Sequence, residues 1–230
     1  MTKTKLFITL LFISFSSVAF SQSLGVNFAL GFPQGEFKDN VDKLGYGIGA
    51  ELILPTVKGS PVEWGANLIF INYGSETRRA PWSYTIPDLT VDVTRQNNLV
   101  ALNGLIRIGT PTTLLKAYVD LMAGGQYLYT TTSVQSRSGS NQNQDVASDT
   151  NLDDWAFSYG GGPGIMFNVY SNETTNVMVD LKVRYLFGTK AEYLTEKDVE
   201  IDTQHGKVIY HPRKSKTDML YAQLGVNISF

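Results

Sequence analysis

Among 230 residues, 19 Lys and Arg stand against 21 Asp and Glu, a formal net charge of −2, and there is no cysteine. The missing thiol excludes disulfide staples and thiol chemistry, and the charge balance argues against a nucleic-acid partner, which wants a basic patch. With two histidines in the chain, metal chemistry has few ligands to draw on.

The N-terminus sets the context. Lys3 and Lys5 precede the apolar run "LFITLLFISFSSVAF", and Ala19 and Ser21 offer small residues before Gln22. This reads as a secretory signal peptide over residues 1–21, leaving one domain over 22–230. The leader carries two lysines and no acid, so its removal moves the formal charge to −4. No cysteine follows it to accept a lipid anchor, and no later apolar run is long enough for a transmembrane helix.

From there the chain alternates. Segment 24–32 sets Leu24, Val26, Phe28, Leu30 and Phe32 against Gly25, Asn27, Ala29 and Gly31. Segments 45–54, 62–70, 99–109, 117–129, 155–169, 177–187 and 219–230 repeat the pattern. The clearest is 177–187, where Val177, Val179, Leu181, Val183, Tyr185 and Phe187 alternate with Asp180, Lys182 and Arg184. A period of two marks strands with two different surroundings. Eight such segments of about nine to thirteen residues exceed the soluble mode of five to six and suit tilted membrane strands. Their connections alternate too. Those at 55–61, 110–116 and 170–176 are short, and those at 33–44, 74–97, 130–154 and 188–217 are long and polar. That is the pattern of an eight-stranded antiparallel up-and-down transmembrane β-barrel with short periplasmic turns and long extracellular loops.

A soluble lipocalin-like barrel would also alternate, but its polar face would be rich in Lys and Glu. Here the minority face is mostly Gly, Ala, Ser and Asn with isolated charges, which suits the crowded interior of a small barrel. The apolar face therefore points outward into lipid. The run "SYGGGPGIMF" (158–167) fits this reading. Gly160, Gly162 and Gly164 face inward with Ser158 and leave room for Arg107 and Arg184, and Pro163 predicts a bulge or bend. No Gly-Lys-Ser/Thr follows, so the run is not a phosphate loop. Tyr46, Trp64, Phe70, Tyr73, Tyr127, Tyr129, Trp155, Phe157, Tyr159, Tyr185, Phe187 and Tyr221 fall mostly near strand ends, as interfacial girdles do. The faces of Tyr73 and Tyr221 are ambiguous.

With its leader, eight segments, "GGGPG" strand and terminal "LGVNISF", the chain resembles small outer-membrane β-barrel proteins over essentially its whole mature length. The type is the porin family, or outer-membrane-protein β-barrel domain, of the Bacteroidota, related in architecture to OmpA and OmpX. The resemblance implies an outer-membrane location in contact with lipid. It also implies that Leu224, Val226, Ile228 and Phe230 form a signal read by the barrel-assembly machinery. It implies little about function, because this architecture hosts adhesins, enzymes, anchors and complex subunits.

The predicted lumen gathers Glu51, Glu63, Asp120 and Asp180 with Arg107, Lys182 and Arg184. The expectation is a salt-bridged plug that replaces a hydrophobic core, since unpaired charges in a narrow lumen are costly. A narrow ion path is the alternative. His205 and His211 lie in the last long loop, where a histidine near Asp202 would be the base of a lipid-modifying enzyme, but no Gly-x-Ser-x-Gly elbow accompanies them. "DTNLDD" (149–154) begins like a calcium loop yet lacks its sixth-position glycine and twelfth-position glutamate. The tract "SRSGSNQNQDVASDTN" (136–151) otherwise reads as a mobile polar loop. "VEID" and "KVIYH" around "TQHG" predict a hairpin, and "LTVDVTR" (89–95) a similar extension of the wall whose edges can accept a strand. No catalytic residue, metal or cofactor is expected, and no domain after Phe230. The function expected is a structural or interaction scaffold, an accessory subunit of a larger outer-membrane complex with other outer-membrane proteins as partners.

Overall fold

The computed structural model describes residues 23–54, 60–83, 86–110, 114–136, 145–195, 198–202 and 207–230. Eight strands close into an antiparallel barrel. In chain order they are β1 (Ser23–Pro33), β2 (Gly45–Leu54), β3 (Val62–Ser83), β4 (Ile86–Gly109), β5 (Leu115–Ser136), β6 (Asp145–Ser171), β7 (Asn176–Gly188) and, after four short strands, β12 (Met219–Ser229). Closure joins β1 to β12, from Ser23 opposite Ser229 to Pro33 opposite Met219. Full closure leaves no backbone edge at the level of the ring, as lipid requires. Among the described residues no helix is long and apolar enough to cross a membrane.

The alternation maps onto the wall. Val26, Phe28, Ile48, Trp64, Leu102, Leu121 and Leu224 are exposed on the outside, while Asn27, Asn67, Asn103 and Asp120 between them are buried inside. Val226 and Phe230 are exposed on the same outer ridge as Leu224. At the 170–176 turn, Asn172 Oδ1 accepts from Thr174 N at 2.9 Å and Thr175 N at 2.7 Å. That side chain replaces the lost ladder, as asparagine does in turns.

Four readings are corrected. The long connections 74–97 and 130–154 are mostly strand, well beyond the extension expected at 89–95, which is found. β3 and β4 pair as far as Ser83 opposite Ile86, and β5 and β6 as far as Gln135 opposite Asp145. The wall thus rises well past the closed ring on four strands. Outside 89–95 the apolar/polar alternation lapses because most of these residues are polar, while β-branched residues such as Thr77 and Thr94 (Oγ1 to Oγ1 3.0 Å) keep the strand going. The segment 33–44 holds a six-residue helix, α1 (Gly35–Asn40), whose Phe37 is fully buried. The loop 188–217 folds as β8 (Lys190–Tyr193) paired with β11 (Arg213–Lys216), besides the expected hairpin of β9 (Val199–Asp202) with β10 (Lys207–Tyr210). Last, Pro163 makes no bulge. β6 stays in register with β5 there, and pairing to β7 lapses at residues 162–163 and resumes at Gly164 opposite Lys182 in the same register. A missing N–H deletes ladder bonds without inserting a residue.

Candidate functional site

The barrel interior holds a charged layer built from four strands. β2 contributes Glu51, β4 Arg107, β5 Asp120, and β7 the alternating set Asp180, Lys182 and Arg184. Each is at most 2% exposed. Arg107 forks onto Asp120 (Nε–Oδ1 2.8 Å, Nη2–Oδ2 3.0 Å) and reaches Glu51 Oε1 at 2.6 Å. Arg184 Nη2 donates to Glu51 Oε2 at 2.6 Å and also bonds Asp120, and its Nη1 reaches Gln223 Oε1 at 3.2 Å. Lys182 Nζ bridges Glu51 Oε2 at 3.0 Å and Asp180 Oδ2 at 2.8 Å. Tyr118 donates its hydroxyl to Asp180 at 2.5 Å and lays its ring 3.8 Å under the Arg107 guanidinium. Three carboxylates meet three cations, each with several partners, which is the arrangement that makes buried charge tolerable.

Of the seven charged residues read from the sequence as luminal, six converge here. Glu63 does not. It sits at the turn end and pairs with Lys116 at 2.5 Å. Lys116 and Tyr118 escaped the sequence reading because they fall at or beside the expected turn 110–116. The glycines also act differently from expectation. A Cβ at Gly164 would lie 2.3 Å from the Tyr118 ring. At Gly160 and Gly162 it would strike the β7 carbonyls of Tyr185 at 2.1 Å and Val183 at 2.0 Å. The room goes to Tyr118 and to close strand approach, and Arg107 profits only through Tyr118.

The charged layer does not replace an apolar core. Toward the loop end the interior is filled by Ile69, Ile71, Leu99, Leu128, Leu186 and Met219, with Tyr73 and Tyr221 pointing in. Toward the turn end Tyr118, Met166 and Met178 pack together. The two tyrosines therefore belong to the interior and not to a girdle.

Above the core sits a cap with no signature in the sequence. Phe37 of α1 meets Tyr193 and Tyr73 edge-on, with centroids 5.0 and 5.5 Å away. Asn40 donates to Tyr193 Oη at 3.0 Å and accepts from Arg213 Nη1 at 2.9 Å. Arg213 Nε binds both Asp198 oxygens at 2.7 and 3.0 Å, and Asp198 also accepts from Thr195 N and Oγ1. A cleft of about 440 Å³ opens between this cap and the wall, beside Lys38, Asp42, Tyr73, Gly74, Asn97 and Thr195. Burial alone would raise the Asp198 carboxyl. The bonds from Thr195 and Arg213 outweigh it and hold the carboxyl below its ordinary 3.8. A depressed folded-state value stabilises the cap above the unfolded value and loses that contribution as pH falls through the folded one. Backbone amide exchange at residues 35–41 and 213–216 should therefore speed up as pH falls below about 4, after correction for intrinsic exchange. Asp198→Asn should give the faster exchange already at neutral pH. Equal protection in both proteins at every pH would show that this carboxylate does not hold the cap.

"DVASDTN" (145–151) and "DTNLDD" lie in β6 and are strand, not the mobile loop expected. Asp154 accepts from Trp155 N and Glu192 N, both at 2.8 Å, and so fastens β8 to the wall. Among the described residues no group of three or more His, Cys, Asp or Glu is placed to hold a metal. His211 donates its backbone N–H to Asp198 O at 2.9 Å. His205 and the "RSGSNQNQ" part of the polar tract (137–144) fall outside the described residues, and the Asp202 side chain is likewise not described.

No protein-family model and no curated protein matches the sequence. Solved structures similar to it include Ail, the attachment invasion locus protein of Yersinia pestis, at 14% identity over 93% of this chain and 100% of that one, with a TM-score of 0.39. The N-terminal β-barrel domain of Pseudomonas aeruginosa OprF is 15% identical over 90% and 97%, with a TM-score of 0.39. A major outer membrane protein from Thermus thermophilus is 12% identical over 91% and 99%, with a TM-score of 0.43.

Proposed function

We propose that the chain is a bacterial outer-membrane barrel with a plugged lumen, working as a structural and interaction scaffold and as an accessory subunit of a larger membrane assembly. The apolar exterior supports the location, because exposed Val, Leu, Ile and Phe over the whole outer face belong against hydrocarbon. The observation that carries the closed-lumen reading is the charged layer. Side chains from β2, β4, β5 and β7 meet across the interior at 2.6–3.0 Å. Water-filled pores of this architecture need about sixteen strands. Activity is then left to the surface, where β3–β6 raise a wall and the cap decorates the same end. The outer ridge of Leu224, Val226 and Ile228 on β12, with Phe230 next to it, is the segment offered to the barrel-assembly machinery during insertion.

Planar-bilayer recording tests the closed lumen. The wild-type protein is expected to give no steady conductance steps. Asp180→Asn or Arg107→Gln, each of which unbalances the layer, is expected to give at most sparse, unstable openings. Regular steps from the wild type, altered in size by either substitution, would replace the scaffold reading with a narrow channel.

A further inference from the structure

Residues 73 and 74 break the two-residue rhythm of β3. The strand carries one extra residue, Tyr73, between the pairs Asn72–Asn98 and Gly74–Asn97. A bulge of this kind bends the strand and re-aims side chains, and bulges are over-represented beside functional sites. Here two successive positions turn to the inside. Tyr73 is buried with Ile71 in the interior, and a Cβ at Gly74 would lie 3.1 Å from Nδ2 of the buried Asn97. The bulge stands where the wall borders the cleft of about 440 Å³ beside the cap, and Tyr73, Gly74 and Asn97 all line it. That volume is the size of a small-molecule site.

The polar groups at this wall are not used up by the fold. Tyr73 is 1% exposed, and its hydroxyl has no hydrogen-bond partner. Burying a hydroxyl without a partner is destabilising, and phenylalanine would fill the same ring position without that cost. Asn97 accepts from Thr130 Oγ1 at 2.9 Å through Oδ1, while its Nδ2 donates to nothing among the described residues. Glycine at 74 leaves that nitrogen uncovered on the cleft side. A hydroxyl and an amide N–H₂ thus stand ready for a ligand at the floor.

The rest of the lining narrows the ligand's chemistry. The rim carries Lys38 and Lys43 beside Asp39 and Asp42, all four exposed. An anion entering the cleft meets the aspartates, and a cation meets the lysines. The floor is neutral, so a charge seated there would trade its hydration for one hydroxyl and one amide. An uncharged ligand rich in hydroxyls meets neither penalty. Each of its hydroxyls can accept from Tyr73 or Asn97 Nδ2 and donate to a rim carboxylate. Val41, also in the lining, offers the C–H face of a sugar ring an apolar contact.

We infer that the cleft binds a neutral sugar, whose hydroxyls are held at the floor by Tyr73 and Asn97. The full chain is kept in an amine-oxide detergent, which has no sugar head group. Glucose, mannose and N-acetylglucosamine are each titrated in and read by saturation-transfer difference NMR. Glucuronate, glucosamine and glycine serve as charged controls. Expected is transfer to at least one neutral sugar at millimolar concentration, and weaker transfer to every charged control. Tyr73→Phe is expected to weaken that binding about tenfold while its urea midpoint stays the same or rises. A tyrosine with a purely structural role would show the reverse, a lowered midpoint with binding intact. Gly74→Ala, whose methyl group covers Asn97 Nδ2, is expected to weaken binding by a similar factor. Lys214→Ala, exposed on β11 and outside the cleft lining, is expected to change nothing. No transfer to any of the three sugars, tighter binding of a charged control, or equal affinity in both floor variants would overturn the sugar site. None of these outcomes bears on the closed lumen, which conductance reads separately.

Discussion

Glu51→Ala is expected to destabilise the barrel by about 3–5 kcal/mol, the usual cost of removing one partner from a buried ionic cluster. Glu51 accepts from Arg107, Lys182 and Arg184, so its loss leaves three buried cations beside two carboxylates. The measurement is the urea midpoint of the reconstituted protein against wild type. A double substitution separates charge balance from packing. Glu51→Gln with Arg184→Met removes one charge of each sign and keeps the side-chain volumes close. The pair should lose clearly less than the two single substitutions summed. Additivity within about 0.5 kcal/mol would mean that the two groups do not act as a unit, and the plug would then be only a set of independent contacts.

This layer was legible because two environments meet across one strand. In β7 the outer positions Val177, Val179, Leu181 and Val183 face away from the axis while Asp180, Lys182 and Arg184 face one another inside, so the alternation is sharp. What the sequence left hidden follows from the same physics. Outside 89–95 the upper parts of β3–β6 are mostly polar in sequence, so the apolar period fades although the strand continues. At the loop end the reverse holds. Ile69, Leu186 and Tyr221 point inward, but their outer neighbours Leu68, Phe70, Tyr185, Phe187, Leu220 and Ala222 are apolar too, and no pattern tells the faces apart. The cap escaped because α1 is too short to show a helical period and is held by Phe37 and by bonds to Tyr193 and Arg213, more than 150 residues away. Pairings such as Glu51 with Arg107 likewise depend on how three strands register, which a list of inward charges does not specify.

Glycine gives the other large effect, with opposite expectations at two positions. Gly161→Ala places a Cβ 1.9 Å from the Asp120 carbonyl oxygen on β5. Backbone cannot swing aside as a flexible side chain does, so β5 and β6 must separate where Leu121 pairs with Gly161. Overpacking together with weakened ladder bonds is expected to cost about 3–4 kcal/mol, and the neighbouring Asp120–Arg107 fork is disturbed with it. Gly104→Ala adds the same methyl group where the nearest atom is 3.7 Å away. It is expected to leave the monomer unchanged or to stabilise it by about 0.5–1 kcal/mol through reduced backbone entropy in the unfolded chain. Both are read from urea midpoints in the same lipid, with the intrinsic fluorescence of the three tryptophans as signal. A mild effect at Gly161 would show that the close approach of β5 to the "GGGPG" segment can relax. A large loss at Gly104 would show that its missing side chain serves the barrel's own packing.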